Sequence, residues 1–138
     1  MLDIQHDLAL LSIHASEDEI DKQVATGLEL TKQETMVSER VAYAGFPFGN
    51  ILLNQKHSPT YAEGIIGNDE LNELSPKQVQ ISGQVAGGFS GSPIVLANKP
   101  QCVIATLSNS PSEEVGQANI FRGISWRHLG ALCTLANS

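Results

Sequence analysis

Basic residues are scarce in this chain. Its 138 residues hold 8 Lys and Arg against 15 Asp and Glu, for a formal net charge of −7. A surface that neutralises a phosphate backbone needs clustered cations, so nucleic acid is excluded as a partner. No run of five basic residues occurs, which argues against an anionic membrane surface as well. Long apolar runs are also missing: nothing approaches the roughly 18 residues of a spanning helix. The opening stretch "MLDIQHDLALLSI" carries acids where an export signal carries positive charge, and no small-residue cleavage site follows it. The compartment is therefore undetermined. There are two cysteines, Cys102 and Cys133, with neither a CxxC pair nor a His–Cys spacing suited to zinc. They read as buried free thiols, with a pairing of the two as the alternative. The close acids of "SEDEIDKQ" and "NDELNEL" lack the glycine of a calcium loop and read as solvated surface. No metal and no cofactor is expected.

What is present is a chain of single-domain length, able to bury a core without staples. The short apolar run "DLALLSI" (7–13) fits a buried strand by its length. Residues 15–36 are polar and acidic. Ser16 and Glu19 suggest a capping box for a turn or two of helix, and the segment reads as a surface linker. From Arg40 the texture changes to short strands about ten residues apart. They are "RVAYAGF", "NILLN", "TYAEGIIGN", "KQVQISGQV", "SPIVLAN", "QCVIATLSN" and "QANIFRGIS". Turn signals such as "PFGN", "GND" and "NKPQ" separate them. No helical pattern intervenes, which indicates an antiparallel barrel or sandwich. At the end, Trp126, Leu129, Leu132 and Cys133 share one face of a closing helix, with Ser125 as its N-cap.

The run "VAGGFSGSPIV" (85–95) sets three glycines, two serines and a proline between apolar patches. A serine is a poor nucleophile until a base takes its proton, and the oxyanion formed by its attack needs fixed donors. Backbone N–H groups supply such donors where glycine lets the chain approach closely. Gly88 stands two residues before Ser90 and Gly91 just after it, so the N–H groups of Gly88 and Ser90 are able to converge on one point.

"GGFSGSPIV" resembles the nucleophile loop of the trypsin-like (chymotrypsin-fold) serine peptidases, G-[DN]-S-G-[GS]-P followed by an apolar strand. The likeness extends along the chain. "DLALLSI" resembles that family's catalytic-aspartate strand, and "RVAYAGFPFGN" the start of the second barrel in the bacterial HtrA-like branch. "EGIIGN" and "CVIATLSN" resemble two further strands, and "IFRGISWRHLGALC" the last strand and C-terminal helix. The resemblance implies an all-β fold: a six-stranded antiparallel Greek-key barrel with a C-terminal helix. Residues 1–14 would be the last strand of a first barrel, 15–36 the inter-barrel linker, and 37–138 the second barrel. It also implies Ser90 as nucleophile, the N–H groups of Gly88 and Ser90 as oxyanion hole, and Asp7 as the residue that orients a histidine. Ser108 would lie near that aspartate, and Ser108, Asn109 and Ser110 would line the edge where a peptide substrate pairs as an added strand. Gln84 would floor the primary specificity pocket; being uncharged, it gives no reason for a preference for Lys or Arg.

Two positions depart from the family pattern. Phe89 replaces the usual Asp or Asn, so activation by an ion pair from a new N-terminus to that position is not supported. Ser92 replaces a glycine, as in some bacterial members. The larger departure is the base. His6, His14, His57 and His128 are the chain's histidines, and none matches the family's catalytic one, which precedes the aspartate by a few dozen residues. An upstream segment bearing it is the expectation, and a degenerate relative the alternative. The functional expectation is a serine endopeptidase domain inactive as this chain alone; the alternative is a non-catalytic peptide-binding module. A barrel without its companion exposes an apolar face, which leads to the expectation of a homo-oligomer.

Overall fold

The computed structural model describes residues 1–5, 7–12, 14, 16–18, 27–30, 36–47, 59–71, 78–109 and 120–138. Its strands arise where the sequence alternates. In β6 (Gln78–Gly83), Val79 and Ile81 are buried while Gln78 and Gln80 are half-covered and Ser82 is exposed. That is the period-2 signature of a strand with one face on a core. β4 (Arg40–Gly45) sends Val41 and Tyr43 inward, and β7 (Pro93–Leu96) does the same with Ile94 and Leu96. Pro93 opens β7, a strand position that tolerates its missing N–H.

β4, β5 (Thr60–Leu71) and β6 are consecutive antiparallel neighbours. β7 then returns beside β4, so the spatial order β7-β4-β5-β6 is a Greek key. β8 (Lys99–Asn109) pairs with β7, and β9 (Ile120–Ser125) pairs with both β6 and β8, closing a ring of six strands. Register shifts in β5 between Ile66 and Asn68, and in β8 between Leu107 and Asn109, bend the strands round the barrel. Ile66, Ile81, Ile94, Ile104 and Leu107 fill the interior around Tyr43 and Phe121. Each such aliphatic side chain contributes roughly 2 kcal/mol by leaving water.

The closing helix, α1 (Trp126–Ala136), starts at Ser125, whose Oγ accepts from the N–H of Arg127 at 3.4 Å. Leu132 of α1 buries itself with Ile124 of β9 and Leu8, forming a second, smaller core. Leu8 belongs to an N-terminal hairpin in which β1 (Leu2–Asp3) pairs antiparallel with β2 (Leu8–Ala9).

The strand expected over 7–13 is thus corrected. Among the described residues its ladder is confined to Leu8–Ala9. Asp7 precedes it in a turn at φ 54. Two main-chain bonds between Met1 and Leu10, at 2.8 and 2.9 Å, close the hairpin beside that ladder. Within 15–36, Glu29–Leu30 (β3) pairs parallel with β8 outside the ring. The strand expected at "NILLN" lies outside the described residues, as do His6, Glu19, His57 and Ser110.

Candidate active site

The loop from Gln84 to Ser92 joins β6 to β7 across one end of the barrel. Gly88 and Gly91 adopt φ of 103° and 85°, which L side chains rarely take. At Gly88 space forbids a side chain too: a Cβ there would stand 2.2 Å from the carbonyl oxygen of Phe46. The backbone of the loop lies directly on the end of β4, where the N–H of Phe46 donates to the carbonyl of Gly88 at 3.0 Å. On the other side Gly91 N–H donates to the Leu107 carbonyl at 2.7 Å, and Leu107 N–H donates to the Ser92 carbonyl at 2.9 Å. Two internal bonds shape the turn, Phe89 N–H to Ala86 and Ser92 N–H to Phe89.

These bonds use the amides of Phe89, Gly91 and Ser92. Among the described residues, no main-chain carbonyl accepts from the amides of Gly88 or Ser90. Phe89 is buried while Ser90 is exposed, so the loop is anchored by an apolar side chain below and presents a hydroxyl above.

Asp7 and Ser108 are 101 residues apart in sequence, yet Ser108 Oγ donates to Asp7 Oδ2 at 2.7 Å. Two contacts bring them together. Leu8 packs against Ile124 and Leu132, which holds the adjoining turn against the barrel. Ser108 follows Leu107, the residue bonded to both Gly91 and Ser92. The carboxylate and the glycine loop are therefore fastened to the same stretch of β8.

Gln84 is exposed at the end of β6, and its carbonyl accepts from the Tyr43 hydroxyl at 2.6 Å. Asn109 ends β8. His14 is exposed beyond β2, and His128 lies on α1. Sequence reasoning missed Tyr43. Its one signal was an inward position in "RVAYAG", which marks a core residue and says nothing of where a hydroxyl points. Burial pushes the Tyr43 phenol up from its ordinary range. A cavity of about 430 Å³ lies at the other end of β4 from the loop, lined by Glu39, Arg40, Glu63, Ala97 and Asn98. The exposed Arg40–Glu63 ion pair there contributes little to stability.

No family model matches the sequence, and no curated protein matches it. Solved structures do. The chain is similar to Rv3671c from M. tuberculosis H37Rv, in an inactive form carrying a serine-to-alanine substitution, with a TM-score of 0.58 and 16% identity. That match covers 80% of this chain and 54% of the other. It is also similar to the HtrA-type protease AlgW with a decapeptide, with a TM-score of 0.55 and 20% identity over 71% of this chain and 29% of that one. A serine-to-alanine variant of AlgW, again with a decapeptide, gives a TM-score of 0.56 and 19% identity. The chain thus spans about half of one of these proteins and under a third of the other. The barrel has the fold of the trypsin-like, HtrA-type peptidases.

Proposed function

We propose that this barrel is the nucleophile-bearing part of a serine endopeptidase. Ser90 is the nucleophile, and the N–H groups of Gly88 and Ser90 are the oxyanion hole. Asp7, held by Ser108, is the carboxylate that orients and charges a histidine base. One observation carries the reading: the exposed Ser90 sits on a glycine loop with two amides that no described main-chain carbonyl takes, and that loop shares its β8 anchor with Asp7. Attack of Ser90 Oγ on a peptide carbonyl would put negative charge on the carbonyl oxygen. Two fixed amides in that place need no reorganisation as the charge develops. An extended substrate would add as a strand along Ser108, Asn109 and Ser110, with Gln84 at the floor of the side-chain pocket, an uncharged floor that gives no reason for a preference for Lys or Arg.

The hydroxyl still needs a base. Of the described histidines, His14 is exposed beyond the hairpin and His128 is on the helix. On this reading the chain by itself hydrolyses peptides negligibly. Incubation with a fluorophosphonate probe checks this: labelling of Ser90 is expected to be slow, and rapid stoichiometric labelling would overturn it. Free imidazole then supplies the missing base. It is expected to accelerate labelling of the native chain and leave Ser90→Ala unlabelled.

The second reading is a peptide-holding module without chemistry, favoured by the same lack of a histidine at the Asp7–Ser108 pair among the described residues. Imidazole would then leave labelling unchanged, while an acetylated peptide ending in a free carboxylate would still bind along β8.

A further inference from the structure

We propose that Tyr43 is a positioning residue that clamps the Ser90 loop at Gln84 and Phe89 with neutral contacts. The inference rests on the reading of that loop as an oxyanion hole. The Tyr43 hydroxyl donates to the carbonyl of Gln84, the loop's first residue, at 2.6 Å. Its ring meets Phe89, the residue before Ser90, edge to face at 5.6 Å and 77°. Between these two points lie Val85, Ala86, Gly87 and Gly88. Two consecutive glycines leave a backbone free to turn its amides in many directions, so their direction has to be imposed from the ends.

Tyr43 is suited to impose it. It stands in the middle of β4, paired with Ala62 on one side and Ile94 on the other, and is 2% exposed. The rest of its ring packs on Phe121 of β9 at 5.0 Å and 70°. The clamp is thereby fixed to two walls of the barrel. Two glycines clear its space: a Cβ at Gly83 would stand 2.7 Å from the Tyr43 hydroxyl, and a Cβ at Gly45 would stand 2.8 Å from the Phe89 ring. Where the resembling peptidases place Asp or Asn, this chain has an aromatic ring, buried to 4% exposure. Edge-to-face contact and burial hold that ring without any ion. The loop therefore keeps its shape with no charged partner.

Amide hydrogen exchange in Tyr43→Phe, which removes the hydroxyl and keeps the ring, tests the clamp. Loss of one net hydrogen bond is expected to speed exchange at Phe89 and Ser92 about fivefold, with the β6 ladder amides unmoved. Phe89→Leu, a swap that keeps an apolar residue in the site, is expected to act in the same direction. Native loop exchange is expected to be the same at low and high salt, since screening weakens ion pairs and not ring contacts. Unchanged loop amides in Tyr43→Phe, acceleration of loop and ladder by one common factor, or loosening of the native loop by salt would each overturn the proposal. Titration with an acetylated tetra-alanine ending in a free carboxylate judges the oxyanion reading separately. Shifts at the Gly88 and Ser90 amides support it, and their absence sinks it while the exchange rates still decide the role of Tyr43.

Discussion

A buried phenol makes Tyr43 a reporter of the barrel at alkaline pH. Burial disfavours the phenolate, so its folded pKa lies above the ordinary 10.0. As pH rises past that value the unfolded chain gives up the proton while the folded chain keeps it. The folded state then binds more protons, and stability falls with rising pH. The contribution is complete below about pH 10 and disappears as pH climbs through the folded pKa. Denaturation by urea at stepped alkaline pH is expected to show this decline in the native protein and a shallower one in Tyr43→Phe. Equal slopes would mean that the phenol is not shielded. At this scale the sequence was informative about the left-handed turns at Gly88 and Gly91, because a loop's glycine demand is local. It was silent about the Tyr43 hydroxyl, whose partner lies 41 residues away.

Among the elements, the small second core has the most leverage on the site. Leu132, Ile124 and Leu8 tie the helix, β9 and the hairpin together beside Asp7. Leu132→Ala removes the buried helix contact and is expected to cost about 2 kcal/mol, the low end for such truncations because this cluster is small and can partly collapse. A urea titration measures it, with Leu135→Ala as control. Leu135 is 63% exposed, so its loss is expected to stay within about 0.5 kcal/mol. Equal effects of the two would show that the helix does not lean on Leu132. Elements with a strong local period were legible: β6 alternates and α1 begins at its N-cap, as their residues dictate. The "DLALLSI" run misled because hydrophobicity and length describe a strand's composition and not its partner. Its partner is the two-residue β1, which ends the ladder at Ala9.

For the whole molecule, the hairpin presents Met1, Leu2, Ile4 and Leu11 to solvent, at 56%, 72%, 89% and 80% exposure. Apolar side chains gathered in this way invite association. We expect the chain to self-associate despite its net charge of −7. Sedimentation equilibrium should show a concentration-dependent rise in mass that Ile4→Asp with Leu11→Asp abolishes. A clean monomer at all concentrations would refute this.

The sequence by itself determined the all-β class, alternating strands such as β6, the helix cap and the glycine turns at Gly88 and Gly91. Alternation, capping and left-handed turns are properties of neighbouring residues, and neighbouring residues carry their signals. Only the tertiary structure decided that Asp7 sits in a turn against Ser108, that Leu107 anchors the loop, and that Tyr43 meets both Gln84 and Phe89. Those contacts join residues 15 to 101 positions apart on the hairpin, β4, β8 and the loop. They exist because the ring of six strands closes, and no local pattern records which residues closure brings together.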